Sequence, residues 1–176
     1  CYPFFDPPYH NWTGDALRHW DNARYIFDKN RFEGGIDPKG FQFYLGGLYL
    51  LFGDRPLPYT IAAALMSAGT AVFWCLTARD LMPGRRAFEA GIFYALLPSS
   101  FLIYSFFMNE QLLIFLLGLA WWLTLVWWRR RTSVILFFAV IAWWSAILPR
   151  VIILPIGVPM MILMVVLSHR PVFNAV

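Results

Sequence analysis

Charged side chains are scarce in this chain. They make up 14% of the 176 residues, against about a quarter in a soluble globular domain. The shortage is uneven: six of the ten acidic residues (Asp6, Asp15, Asp21, Asp28, Glu33 and Asp37) precede position 40, and after Glu89 only Glu110 remains. The excess of positive charge, formally +4, sits in short clusters between apolar runs. That is the pattern of cytoplasmic membrane loops, and it excludes an extended nucleic-acid face. Cysteine is nearly absent. Cys1 lies in the charged head and Cys75 in an apolar run, so a disulfide framework is excluded and Cys75 reads as a small membrane-helix hydrophobe. There is no CxxC, no phosphate-binding glycine loop and no nucleophile elbow, and His10, His19 and His169 are too scattered for a metal site. An initiator Met and a cleavable signal are also missing. The expectation is a chain that begins inside a longer protein, with a lipid-modified Cys1 as the lesser alternative.

What is present in quantity is apolar. Sixty per cent of residues are hydrophobic, with seventeen Phe and nine Trp, and mean hydropathy is +0.58. These numbers predict an all-α fold: a polytopic membrane helix bundle with an amphipathic juxtamembrane helix in its first outer loop. Residues 1–40 form that loop. Thr13 is the expected N-cap of a helix reaching Asn30, with Ala16, Leu17, Trp20, Ala23 and Phe27 recurring at helical spacing. It is too polar to span, so it should lie on the membrane surface. Residues 41–176 form the transmembrane domain. Its first run, Phe41 to Phe52, is about a dozen residues where a span needs about 20, so it reads as re-entrant or interfacial. Five longer runs follow at 59–81, 87–108, 111–128, 132–148 and 151–167. Gly46–Gly47 and the Ser67/Gly69 pair read as sites of close helix packing.

Orientation follows from the basic loops. Arg79, Arg85 and Arg86 flank the first turn between runs, Arg129 to Arg131 separate the third and fourth, and His169 and Arg170 follow the fifth. These clusters alternate correctly, so all are expected on the cytoplasmic side. The other side receives the head, Asn109–Glu110 and Pro149–Arg150. Asp15, Glu110 and Arg150 then share the non-cytoplasmic membrane boundary, where charge is costly and marks function by default. Each also has a plain reading. Asp15 suits any helix N-terminus, Glu110 suits a helix start, and Arg150 suits snorkelling to headgroups.

Their order adds information. The segment Gly14-Asp15-Ala16-Leu17-Arg18-His19-Trp20-Asp21-Asn22-Ala23 resembles the first outer loop of GT-C glycosyltransferases, with an acid, an aromatic about one turn on and an Ala about two turns on. Further along, Asp37-Pro38-Lys39-Gly40-Phe41 and Leu48-Tyr49-Leu50-Leu51-Phe52-Gly53 match that family's Pro/Gly stretch and short juxtamembrane helix. Gly84-Arg85-Arg86, Ala95-Leu96-Leu97-Pro98-Ser99, Asn109-Glu110 and Leu148-Pro149-Arg150 follow in the family's order. The likeness covers about residues 12 to 155 and extends to protein O-mannosyltransferases and aminoarabinose transferases. Against the family's pattern, the membrane helix before the loop, the later helices and the C-terminal domain are expected to lie outside these residues. A second register, with Asp21 four residues before Tyr25, lacks the matching Ala.

The resemblance implies transfer of a sugar from a polyprenyl-phosphate donor in the membrane to an acceptor whose identity it leaves open. The active face is then periplasmic, extracellular or ER lumenal. Asp15 is implied as the catalytic carboxylate, since an acceptor proton needs a base. Arg150 is implied as the lipid-phosphate ligand, because Arg pairs bidentately with phosphate. Glu110 is implied to position the acceptor, or to share a divalent cation with Asp15. The alternatives are a non-catalytic membrane subunit of GT-C-like fold and, less well, a transporter, since the runs hold too few polar residues to line a pore. The orientation has a direct consequence: cysteines introduced at Glu89 and Asn109 should react with membrane-impermeant reagents from opposite sides, and labelling from one side would refute the alternation.

Overall fold

The computed structural model describes residues 18–19, 21–25, 40–53, 56–82, 85–97 and 109–168. Among these the chain is all-α. Residues 18–19 and 21–25 are helical. Then come α1 (Gly40–Phe52), α2 (Pro56–Leu81), α3 (Arg85–Leu96), α4 (Asn109–Arg130), α5 (Ser133–Ile147), a 3-10 turn (Val151–Ile153) and α6 (Leu154–Ser168).

Local chemistry accounts for the boundaries. Gly53 follows α1 at φ +68°, a conformation cheap only for glycine, and its N–H donates to the Tyr49 carbonyl at 2.8 Å. Pro56 opens α2, where a missing N–H costs nothing. At the far end of α3, Leu97 immediately precedes Pro98, whose ring disfavours helical backbone before it, and the helix stops at Leu96. Arg131 closes α4 in the left-handed region (φ 51°), its N–H donating to the Trp127 carbonyl at 2.7 Å. Its guanidinium lies 4.8 Å from the Trp127 ring centroid and 4.4 Å from that of Trp128. This is an anchor suited to a membrane interface.

Among the described residues, three stretches are long and apolar enough to cross a membrane: Leu57–Leu81, Asn109–Arg130 and Val151–Ser168. Of the five expected spans, the one at 132–148 comes out shorter, and the one at 87–108 is described only in part. The helix in the 87–108 run is α3, and residues 98–108 lie outside those described. With fifteen residues, α5 is about 22 Å long at 1.5 Å per residue. It nevertheless returns the chain along the full length of α4, because residue 131 sits at the C-terminal end of α4 and Arg150 touches Glu110 at its start. Of the proposed head helix, only 18–19 and 21–25 fall within the described residues. Thr13 to Leu17 and Ile26 to Asn30 do not.

The helices pack as neighbours in the order α3, α2, α4, α5, α6, with α1 against α2. In lipid, close approach rests on small residues and interhelical hydrogen bonds. A Cβ at Gly91 would lie 2.7 Å from the Cys75 Cβ, so α2 and α3 touch there. Gly69 lies against the Phe115 ring and Gly118 against Phe73, which seats α2 on α4. Gly47, by contrast, faces open space. Deeper in the bundle, the Thr124 hydroxyl donates to the Ala120 carbonyl (2.7 Å) and accepts from Trp143 Nε1 (3.0 Å), joining α4 to α5. Met164 of α6 closes this cluster, its Sδ 3.6 Å from Thr124 Oγ1. The outer faces are apolar instead: Phe137, Phe138, Ile141 and Trp144 of α5 and Ile156, Ile162 and Leu163 of α6 are exposed. Such a continuous apolar exterior suits hydrocarbon and not water.

Two ion pairs mark the ends of α4. At its C-terminus Arg129 Nη1 donates to Asp80 Oδ1 of α2 (2.6 Å) and Nη2 to the Asp80 carbonyl. At its N-terminus Glu110 accepts from Arg150. The nineteen residue steps from Glu110 to Arg129 span about 28 Å of helix rise, close to the roughly 30 Å hydrocarbon thickness. The arginine-rich ends of α2 and α4 therefore lie together, and Glu110 and Arg150 lie at the other end.

Gly40 ties α1 to the corner after α5. Its N–H donates to the Leu148 carbonyl (3.3 Å), and a Cβ there would fall 2.5 Å from the Leu148 carbonyl carbon. Gly40→Ala must push two backbones apart and should cost about 1–3 kcal/mol. Gly47→Ala, in open space on the same helix, should be neutral or slightly stabilising, because Ala is the better helix former. Thermal melts of the two variants in detergent should separate them, and equal melting would contradict the close contact at Leu148.

Candidate functional site

The end of the bundle away from the arginine clusters gathers the described head residues (18–19 and 21–25), α1, the start of α2, the start of α4 and the α5–α6 corner. Its core is Ala23, Phe41, Leu45, Tyr59 and Ala63, with Leu112 of α4 packed against it. Tyr59 Oη donates to the Gly53 carbonyl at 3.2 Å, fixing the turn between α1 and α2. The head enters through one helical face: His19 and Ala23, four residues apart, are buried, whereas Arg18, Asp21 and Asn22 are exposed. The His19 ring meets Phe41 edge-on at 5.5 Å, and Phe41 stacks on Tyr44 at 6.0 Å. Burial pushes the Tyr44 hydroxyl up to about 12, so it stays protonated at any physiological pH.

The charged pair stands beside this core. Glu110 occupies the first turn of α4, where the partial positive charge of the helix N-terminus favours a carboxylate. Arg150 follows the buried Pro149 in extended backbone (φ −149°, ψ 113°), just before the 3-10 turn. Its Nη2 donates to Glu110 Oε1 across forty residues of sequence. The two side chains are 45% and 28% exposed, so water screens the attraction. The pair is accessible from the boundary and not sealed in the core.

Of the expected site residues, the structure brings Glu110 and Arg150 together. Asp15 lies outside the described residues, and with it the idea of a divalent cation shared between Asp15 and Glu110. Among the described residues there is no group of three or more His, Cys, Asp or Glu that could hold a metal. Asp21, the second-register candidate, is on the exposed face of the head stretch, turned from the side that carries His19 and Ala23.

Sequence reading passed over three residues here. His19, Gln42 and Gln111 are buried polar side chains at this end of the bundle. Gln42 and Gln111 carry a usable signal, since a glutamine within an apolar helix has to face protein, as a charge at that depth does. The burial of His19 depends on the head packing onto Phe41, which no local pattern reveals.

Comparison of the chain with family models, with curated proteins and with solved structures gives no match. The reading of the site therefore stands on its own residues.

An ion pair this exposed contributes little to folding. A double-mutant cycle with Glu110→Ala and Arg150→Ala should give a coupling of about 0.2–1 kcal/mol in thermal or denaturant unfolding. A coupling well above that range would make the pair a structural lock.

Proposed function

We propose that the chain is the membrane part of a glycosyltransferase that takes a sugar from a polyprenyl-phosphate donor and passes it to an acceptor at the end of the bundle opposite the arginine clusters. One observation carries this reading: Glu110 and Arg150, forty residues apart in sequence, pair at that end beside the buried face of the head. A mobile lipid phosphate needs a cation at the membrane edge, and the guanidinium of Arg150 is half-exposed there. The acceptor needs a carboxylate. The buried face of the head carries His19 and Ala23, the positions four and eight residues after Asp15. The resemblance puts Asp15 in this role, and Asp21, on the exposed face, is the second register.

The chemistry is a displacement at the anomeric carbon. The acceptor oxygen or nitrogen forms a bond to that carbon, and its proton passes to the Asp15 carboxylate. The bond from the same carbon to the phosphate oxygen breaks, and its electron pair leaves on the polyprenyl phosphate, whose charge Arg150 balances. Glu110 orients the acceptor. The active face is then periplasmic, extracellular or lumenal, since the opposite end carries the arginine clusters.

A second reading is a non-catalytic subunit of the same fold. What favours it is the pairing of Arg150 with Glu110, because two charges that neutralise each other need no ligand. Release of polyprenyl phosphate from a panel of polyprenyl-phosphate sugars, mannose and aminoarabinose first, tells the two apart. On the transferase reading Asp15→Asn lowers turnover by about 10²–10⁴-fold. Arg150→Ala weakens donor handling, and Arg150→Lys restores it only in part because Lys lacks the fork. Normal turnover in Asp15→Asn with loss in Asp21→Asn would shift the register, and no turnover with any donor would favour the subunit.

A further inference from the structure

We infer that Glu110 competes with the donor's phosphoryl group for the Arg150 guanidinium, so that phosphate capture and release of the Glu110 carboxylate are one event. This rests on the reading of Arg150 as the phosphate ligand.

The two ion pairs of α4 differ in ways that bear on this. Asp80 is a closed lock: its side chain is only 8% exposed, and Arg129 grips both its carboxylate and its backbone carbonyl. Glu110 and Arg150 meet through one nitrogen and one oxygen, and both stay open to solvent. Carboxylate and phosphate ask the same thing of a guanidinium, parallel N–H donors in a planar fork, so they cannot both be served in full by Arg150. A pair this exposed is weak enough to exchange.

The surrounding backbone confines the exchange to side chains. Leu148 is held by the Gly40 N–H, Pro149 is buried, and the Ile153 N–H bonds back to the Arg150 carbonyl at 3.2 Å. Arg150 can therefore swing its head without moving the corner. Glu110 is likewise anchored in the first turn of α4 between the half-buried Asn109 and the fully buried Gln111. When a phosphoryl group takes Arg150, the Glu110 carboxylate loses its cation and becomes available to the acceptor. Donor binding would in this way prepare the acceptor side.

The test is binding, read separately from transfer. Farnesyl phosphate, farnesol and inorganic phosphate are titrated against the whole chain in neutral detergent. The forms compared are wild type, Glu110→Gln, Glu110→Ala, Arg150→Ala and the Glu110→Gln/Arg150→Ala double variant. Competition predicts that either Glu110 variant binds farnesyl phosphate about two- to five-fold more tightly, the factor a screened ion pair can withhold. It predicts no such gain when Arg150 is absent, and none for farnesol. A purely structural Glu110 would give the opposite sign, since loosening the corner weakens binding. An equal gain for inorganic phosphate identifies the phosphoryl group alone as the competitor. A gain confined to farnesyl phosphate shows that the chain must deliver it. Arg150-dependent binding that Glu110→Gln leaves unchanged or weakens overturns the competition and spares the transferase reading. Farnesyl phosphate binding that ignores Arg150 in every form overturns both.

Discussion

Inside a hydrocarbon layer no water completes an unpaired peptide group, so every backbone N–H and C=O there must find its partner within the protein. That constraint falls most heavily on α4, which neighbours α2 on one side and α5 on the other. Its twenty-two residues bond to one another along its length, and side-chain ion pairs near its two ends, Glu110 with Arg150 and Arg129 with Asp80, join it to its neighbours. The separation of the two pairs matches the thickness of the layer, so α4 acts as the gauge against which the other helices are set. The path of α5 follows from it: fifteen helical residues and the extended residues at their flanks must return the chain from Arg131 to Arg150.

Between those ends the bundle has little hydrophobic drive to cohere, because lipid tails are as apolar as leucine. Contact is made instead where backbones come close, as at Gly91 on Cys75, or where a polar atom has only one partner to choose. Thr124 is the second kind. Its hydroxyl satisfies its own helix and receives the Trp143 indole, so a wide ring is held at a fixed rotation against Trp121 at 5.3 Å. The phenylalanines Phe137 and Phe138 of α5 face outward.

The same scarcity of charge that makes the chain a membrane protein makes its few charges informative. At the end of the bundle with Glu110 and Arg150, buried polar side chains from the head, α1 and α4 lie behind an accessible ion pair. At the other end Asp80 is enclosed, while Arg129 and the Arg85–Glu89 pair are exposed.

Much of this was legible in the sequence. Helix-only architecture, the short α1 and the gathering of Arg79, Arg85, Arg86 and Arg129 to Arg131 at one end follow from run lengths, prolines and the placement of Lys and Arg. Each of these reads a property that is local along the chain. The candidacy of Glu110 and Arg150 was legible too, because an acid alone in eighty-odd apolar residues is conspicuous. Their pairing was not, since it depends on α5 bringing Arg150 back to the start of α4. Nor was the pairing of Asp80 with Arg129, forty-nine residues away, nor the burial of His19, Gln42 and Gln111. The amino-acid sequence by itself determined that these helices form, where they end and that they belong in lipid, because hydropathy, proline and glycine act within a few residues. Only the tertiary structure decided which charges meet and which polar groups are buried. Those outcomes depend on distances between helices, and in an apolar chain neither composition nor periodicity distinguishes one helix neighbour from another.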